Sequence, residues 1–214
     1  MILAATNVKG GVGKSTLAVH LVCWLKALDL KVALVDADVQ QSSSRWMKEA
    51  DSAVQLVRVV DPNEVRPILK KLAKEFHTVV VDGPAGLTEL NYRILMSTDI
   101  CLVPCGPSLM DLEASQLTIQ AIKEAQEARE GGKPVAIFVA NKVQMHLRLS
   151  QEMLETARDI GIPLATTPIR LRQAYPDARS QGTTVFEMGY KTKEASTDLQ
   201  TLFHEVFKYG QNAA

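Results

Sequence analysis

Lys9-Gly10-Gly11-Val12-Gly13-Lys14-Ser15-Thr16 lies between a short apolar run, Ile2–Thr6, and a helical pattern over Ser15–Leu28. A strand, a glycine-rich turn and a helix in that order make a phosphate cradle. Gly10, Gly11 and Gly13 lack a Cβ, so the chain can take angles closed to other residues and come close to a ligand. The N–H groups of the loop, that of Val12 included, and the positive end of the helix then converge on negative charge. Lys14 stands at the helix start as a point charge for the β- and γ-phosphates. The Ser15 hydroxyl is placed to ligate Mg²⁺, and Thr16 supports the loop from the next helical position. The general pattern Gly-x4-Gly-Lys-Ser/Thr would need a glycine at position 8, where Val8 stands. A lysine at position 9 marks a deviant form of the box.

Two acidic strand ends complete the pattern. Val32-Ala33-Leu34-Val35 runs into Asp36-Ala37-Asp38, and Thr78–Val81 runs into Asp82-Gly83-Pro84-Ala85-Gly86. Ligands of open parallel sheets bind at the C-terminal ends of strands, so Asp36, Asp38 and Asp82 should converge on the loop after the first strand. Ser15, Asp36 and Asp82 are then the expected oxygen ligands of a magnesium ion that keeps several waters. Gly83 and Gly86 free the following loop to respond to a γ-phosphate.

The rest of the chain alternates short apolar runs with longer helical patterns. Strands are expected at Ile2–Thr6, Val32–Asp36, Gln55–Val60, Thr78–Asp82, Ile100–Pro104, Val135–Ala140 and Leu164–Pro168. Helices are expected at Ser15–Leu28, Gln41–Ala50, Asn63–Lys74, Leu90–Ser97, Leu109–Arg129, Ser150–Ile160, Arg170–Gln181 and about Lys193–Lys208. That rhythm predicts an α/β fold: an open, mostly parallel twisted sheet with helices on both faces. Continuous runs such as Thr78-Val79-Val80-Val81 suit strands buried on both sides. Glu130-Gly131-Gly132-Lys133-Pro134 reads as a helix stop and a turn, so residues 1–214 are taken as one domain.

Composition narrows the class. The 214 residues are 46% hydrophobic and 22% charged, which suits a globular chain with a core of its own. Lys plus Arg equal Asp plus Glu at 24 each, which argues against a protein coated with nucleic acid throughout but leaves room for a local basic patch. Cys23, Cys101 and Cys105 have no metal-ligand spacing and read as buried hydrophobes in a reducing compartment. His20, His77, His146 and His204 form no ligand spacing either. The N-terminus reads as a strand and not as a signal peptide. No apolar run reaches the roughly 18 residues of a spanning helix, so a cytoplasmic location is expected.

Taken together, Lys9–Thr16, Asp36-Ala37-Asp38-x-Gln40 and Val81–Gly86 resemble the ParA/MinD branch of P-loop ATPases, and most of all its short, ParF-like plasmid partition proteins. Val103–Ser108 followed by Asp111, Asn141-Lys142 and Gly182-x2-Val185-Phe186-Glu187 extend the resemblance along nearly the whole chain. The chain begins at the first strand, so the helix-turn-helix extension of long ParA proteins is not expected. The resemblance implies ATP or ADP with Mg²⁺ as cofactor, and Lys9, Lys14, Asp36 and Asp38 as catalytic residues. Lys9 would reach the phosphates of a second copy across an ATP-bound dimer. Asp36 would hold the magnesium sphere and Asp38 would orient the attacking water. Asn141 and Lys142 would lie at the base. The implied partners are a second copy of the chain, in a dimer or a polymer, a centromere-binding adaptor that stimulates slow hydrolysis, and non-specific DNA. The ATP-bound protein would then sit on the nucleoid. A positioning ATPase for another cargo, a protein microcompartment or a MinD-like system, is the alternative, because its core would be nearly the same.

Arg148, Arg170, Arg172, Arg179, Lys191 and Lys193 gather in the last third, with Arg148, Arg170, Arg172 and Arg179 as the first candidate DNA contacts, since phosphate binding needs a basic surface and no base readout. No membrane partner is expected: Leu199–Tyr209 has apolar residues at helical spacing, but Lys208 is its only basic residue, which suits a helix packed on the core. Trp24 and Trp46 are read as packing residues.

Overall fold

Seven parallel strands run in the order β3-β2-β4-β1-β5-β6-β7 in the computed structural model, which describes residues 1–129 and 131–212. The strands are β1 (Ile2–Ala5), β2 (Val32–Asp36), β3 (Gln55–Arg58), β4 (Thr78–Asp82), β5 (Ile100–Cys105), β6 (Val135–Val143) and β7 (Ile169–Arg170). The helices are α1 (Lys14–Ala27), α2 (Ser42–Ala50), α3 (Pro62–Glu75), α4 (Glu89–Leu95), α5 (Leu109–Ala128), α6 (Arg148–Ala157), α7 (Ala174–Ser180) and α8 (Lys193–Asn212). The expected α/β class is therefore the one observed. The four central strands are fully buried, as their unbroken apolar runs require.

Helices cover both faces. Leu17, Leu21 and Leu25 of α1 and Leu199, Leu202 and Phe203 of α8 share one core with Leu3, Leu34 and Val80. On the other side, α5 and α6 pack on β5 and β6, while α3 and α4 pack on β2 and β4. The last helix is thus a core helix, and Trp24 packs against Phe203 and Phe207 within it. Local chemistry sets several helix starts. The side chain of Asp61 caps α3 by accepting from Asn63 N, with Pro62 at the first helical position. Thr88 and Ser108 cap α4 and α5 in the same way. Among the described residues, no helix is long and apolar enough to cross a membrane.

The sheet edge departs from expectation. Leu164–Pro168 was expected as the seventh strand, but only Leu164 bridges to β6, at Phe138. The N–H groups of Thr166 and Thr167 donate instead to the Glu205 carboxylate of α8, which takes them away from the ladder. Pairing resumes at Ile169–Arg170, after a register shift in β6 between Asn141 and Val143. Arg170 is therefore a strand residue, and the helix expected from it begins at Ala174. Gln41 does not start α2; it holds φ 54° ahead of it. The turn expected at Glu130–Pro134 begins at a residue outside those described.

Candidate nucleotide site

The register of the central strands brings the site together. Ala5 of β1 and Asp36 of β2 both pair with Asp82 of β4, so the first loop and two carboxylates emerge side by side at the C-terminal edge. The loop after β4 is fastened to the loop after β1. Gly83 N donates to Ala5 O at 2.9 Å, and Gly86 N donates to Val8 O at 2.8 Å. A Cβ on Gly83 would meet Ala5 O at 2.9 Å, so that contact needs glycine.

Asn7, which the sequence reading passed over, holds the base of the loop. It is fully buried. Its Nδ2 donates to Pro104 O at 2.9 Å and Ser115 Oγ at 2.8 Å, while its Oδ1 accepts from Lys9 N at 3.0 Å. A single asparagine after an apolar strand carries no motif, so only the fold reveals it.

Lys14 is buried at the start of α1, with Nζ 3.0 Å from the carbonyls of Asn7 and Lys9. Burial holds its ammonium below the usual lysine value, against the raising pull of Asp82 and Asp38. Asp36 is buried and spends both oxygens on its own loop: Oδ1 accepts from Asp38 N and Oδ2 from Ser44 N. Asp82 is buried with no hydrogen-bond partner on either oxygen. Burial pushes it up to about 7, against the lowering pull of the Ser15 and Ser43 hydroxyls and of Lys14. Two adjacent carboxylates and a serine hydroxyl match the way Mg²⁺ is held, by one or two carboxylates with waters and substrate phosphates. ATP or ADP with Mg²⁺ is the cofactor this donor set fits.

Asn141 and Lys142 reach the loop from β6. Asn141 Nδ2 donates to Val12 O and Lys142 Nζ to Gly11 O, each at 2.6 Å. Both were expected at the base; here they bind loop carbonyls. Gly13 has φ 101°, and a Cβ there would lie 2.1 Å from Asn141 Nδ2. Gly13→Ala is therefore expected to break the loop geometry and weaken fluorescent-nucleotide binding at least tenfold, by clash and by left-handed strain.

Lys9 is exposed, and its Nζ lies 3.9 Å from Asp111 Oδ1 within the same chain. Asp111 also accepts from Ser108 Oγ at 2.8 Å. The thiols take no part. Burial pushes Cys23 up to about 12 and Cys105 up to about 11. His20, one turn after Thr16, is buried and pushed down to about 4, and its Nε2 accepts from Val185 N.

The four arginines proposed for DNA do not form one free surface. Arg148 pairs with Glu152 at 2.7 Å, and Arg170 with Asp198 at 3.9 Å. Arg172 pairs with Glu194 and Asp198. Arg179 pairs with Glu49 at 3.2 Å and lies over the Trp46 ring.

Residues 3–185 match the family of CobQ/CobB/MinD/ParA nucleotide binding domains. The chain belongs to this family. It is accordingly a P-loop ATPase of the ParA/MinD type. It is 32% identical over 210 residues to the maintenance of carboxysome distribution protein A of Halothiobacillus neapolitanus, covering 95% of each chain. Protein ParA of Rhizobium radiobacter is 26% identical, over 59% of this chain and 58% of its own. Among solved structures, the ATP complex of a Cyanothece McdA variant superposes with TM-score 0.78 at 17% identity, over 96% of both chains. That last likeness speaks for the fold.

Proposed function

We propose that this chain is a positioning ATPase whose cargo is a protein body, with Mg-ATP as cofactor and non-specific DNA as its support. The cargo assignment rests on the similarity to the carboxysome distribution protein along 95% of both chains. Protein ParA of Rhizobium radiobacter matches under two thirds of either chain. The motifs alone favoured plasmid cargo, because both kinds of protein share the same ATPase residues.

In the proposed cycle Lys14 and the loop N–H groups bind the phosphates, and Asp36, Asp82 and Ser15 hold the magnesium shell. The metal supplies charge neutralisation at the phosphates. Asp38, partly exposed beside Asp36, orients the attacking water. Lys9 leaves Asp111 and reaches the phosphates of a second copy. Val39 and Leu87, on strand-end loops, and Met110, in the first turn of α5, are exposed apolar residues suited to burial between two such copies. An adaptor on the cargo then triggers hydrolysis and release.

DNA contact is assigned first to Lys191 and Lys193. They line an open groove of about 1120 Å³ together with Arg170, Arg172, Glu194 and Asp198, beside the exposed Tyr190, and unlike the two arginines neither lysine makes an ion pair among the described residues. Lys191→Ala with Lys193→Ala is expected to weaken duplex binding at every sequence. The slope of log affinity against log salt should fall by about 2 per protomer, with ATP binding unchanged.

Deleting the gene in its host tests the cargo. The expected result is clustering of the protein bodies with plasmids inherited normally. Plasmid loss with evenly spaced bodies would restore the partition reading.

A further inference from the structure

The segment between α7 and α8 carries the groove lysines Lys191 and Lys193, and its fastenings lead back to the nucleotide site. Residues 182–188 belong to no helix or strand, so their backbone groups need partners from elsewhere. The phosphate-loop helix α1 supplies one. Val185 N donates to His20 Nε2 at 3.2 Å, and His20 Nδ1 lies 2.8 Å from the carbonyl of Thr16, in the first turn of α1. Both partners are backbone groups, and that fixes the ring. A carbonyl only accepts, so Nδ1 carries the proton and Nε2 is the acceptor for Val185.

α2 supplies a second fastening. Trp46 Nε1 donates to Thr183 O at 2.8 Å, while Ser44 N of the same helix donates to Asp36 in the site. A Cβ on Gly182 would meet Glu49 Cβ at 2.8 Å, so the segment presses directly on α2. The His20 ring is fully buried and meets Trp46, Tyr175 and Phe186 edge-on, at 5.3, 5.9 and 5.6 Å between centroids.

The lysine end is tied to the same residue. Thr192 is buried and stands between the two lysines in sequence; its hydroxyl donates to Val185 O at 2.8 Å, shared with Gly189 O at 3.0 Å. Val185 is thus held at its N–H by α1 and at its carbonyl by the residue that separates Lys191 from Lys193. A leucine in place of His20 would still pack among the three rings, but it would leave the Val185 N–H without a partner.

We propose that His20 is a positioning residue that couples the groove to the phosphate loop: through Val185 it holds Lys191 and Lys193 in the arrangement set by the first turn of α1. Nucleotide on the loop and duplex DNA in the groove then favour the same arrangement, and each strengthens the other. The DNA half rests on the reading of Lys191 and Lys193 as DNA contacts. The coupling of loop to segment does not.

Amide hydrogen exchange of residues 182–192 in the whole chain, with and without saturating ADP, reads the coupling with no DNA present. Wild type is expected to exchange these amides at least about fivefold more slowly with ADP, the low end of a coupling between sites. His20→Leu is expected to bind ADP within about threefold of wild type and yet show less than about twofold protection. A packing role predicts another pattern: faster exchange in His20→Leu throughout, with the ADP effect intact. That result overturns the proposal, as does a wild-type segment that ADP leaves unchanged. If His20→Leu does not fold, His20→Asn keeps a donor for Thr16 O but is too short to reach Val185 N, and is read in the same way. Binding of the ATP-loaded protein to a random-sequence duplex tests the DNA half, and His20→Leu is expected to weaken it at least about fivefold. Lost protection with unweakened duplex binding supports the coupling and removes DNA from the groove lysines.

Discussion

Lys9→Ala is expected to retain ADP binding within about threefold while losing at least 10³ of the adaptor-stimulated ATP turnover, the low end of what a charge supplied in trans contributes. The dissociation of effects follows from where Lys9 stands. Its side chain is 44% exposed, and the one ion pair it makes among the described residues, with Asp111 at 3.9 Å, is a surface contact. Such a pair contributes less than about 1 kcal/mol, so the melting temperature should move little. In the proposed cycle the phosphates are gripped in cis by Lys14 and the loop, which the substitution leaves alone, and what would be lost is the charge offered to a second copy. ADP affinity by fluorescence, turnover with adaptor, and mass in solution with ATP measure the three terms separately. Equal losses of ADP binding and turnover would place Lys9 in its own site and remove the trans role.

Asp82→Asn is expected to stabilise the protein without ligand at pH 8 and to abolish its stabilisation by Mg-nucleotide. Burial pushes the Asp82 carboxyl up to about 7 in the folded chain, from an ordinary value of 3.8. A raised carboxyl favours the folded state only while protonated. Its cost is absent below pH 4, grows as pH rises towards 7, and is complete above. At pH 8 that cost is on the order of 4 kcal/mol. Asparagine carries no charge, so urea melts in EDTA should show a gain of that order at pH 8 and almost none at pH 4. A loss of stability at pH 8 would mean the carboxylate is satisfied in ways the geometry does not show.

Much of this site is written locally, and that is why it could be read. Gly10 to Thr16 is one uninterrupted segment, and Asp36 and Asp82 each end an apolar run, so the parallel register alone carries them to the loop. Asn7 was invisible because its importance lies in contacts with Pro104, Ser115 and Thr118, about a hundred residues away. The acidic partners of the arginines were hidden for the same reason. Sequence counts charges but does not show Glu49, Glu194 and Asp198 folding back onto them. The seventh strand was misplaced because Glu205, some forty residues on, competes for its N–H groups. Cargo lies outside the ATPase motifs, so those residues alone do not separate a plasmid from a protein body.

The decisive measurement is binding to a non-specific duplex with ADP, with ATP, and with ATP after Lys9→Ala, at two salt concentrations. Tight binding is expected only for the ATP form with Lys9 intact, weakening steeply as salt rises. Equal binding with ADP and ATP, or none in any state while ATP still drives dimerisation, would contradict it.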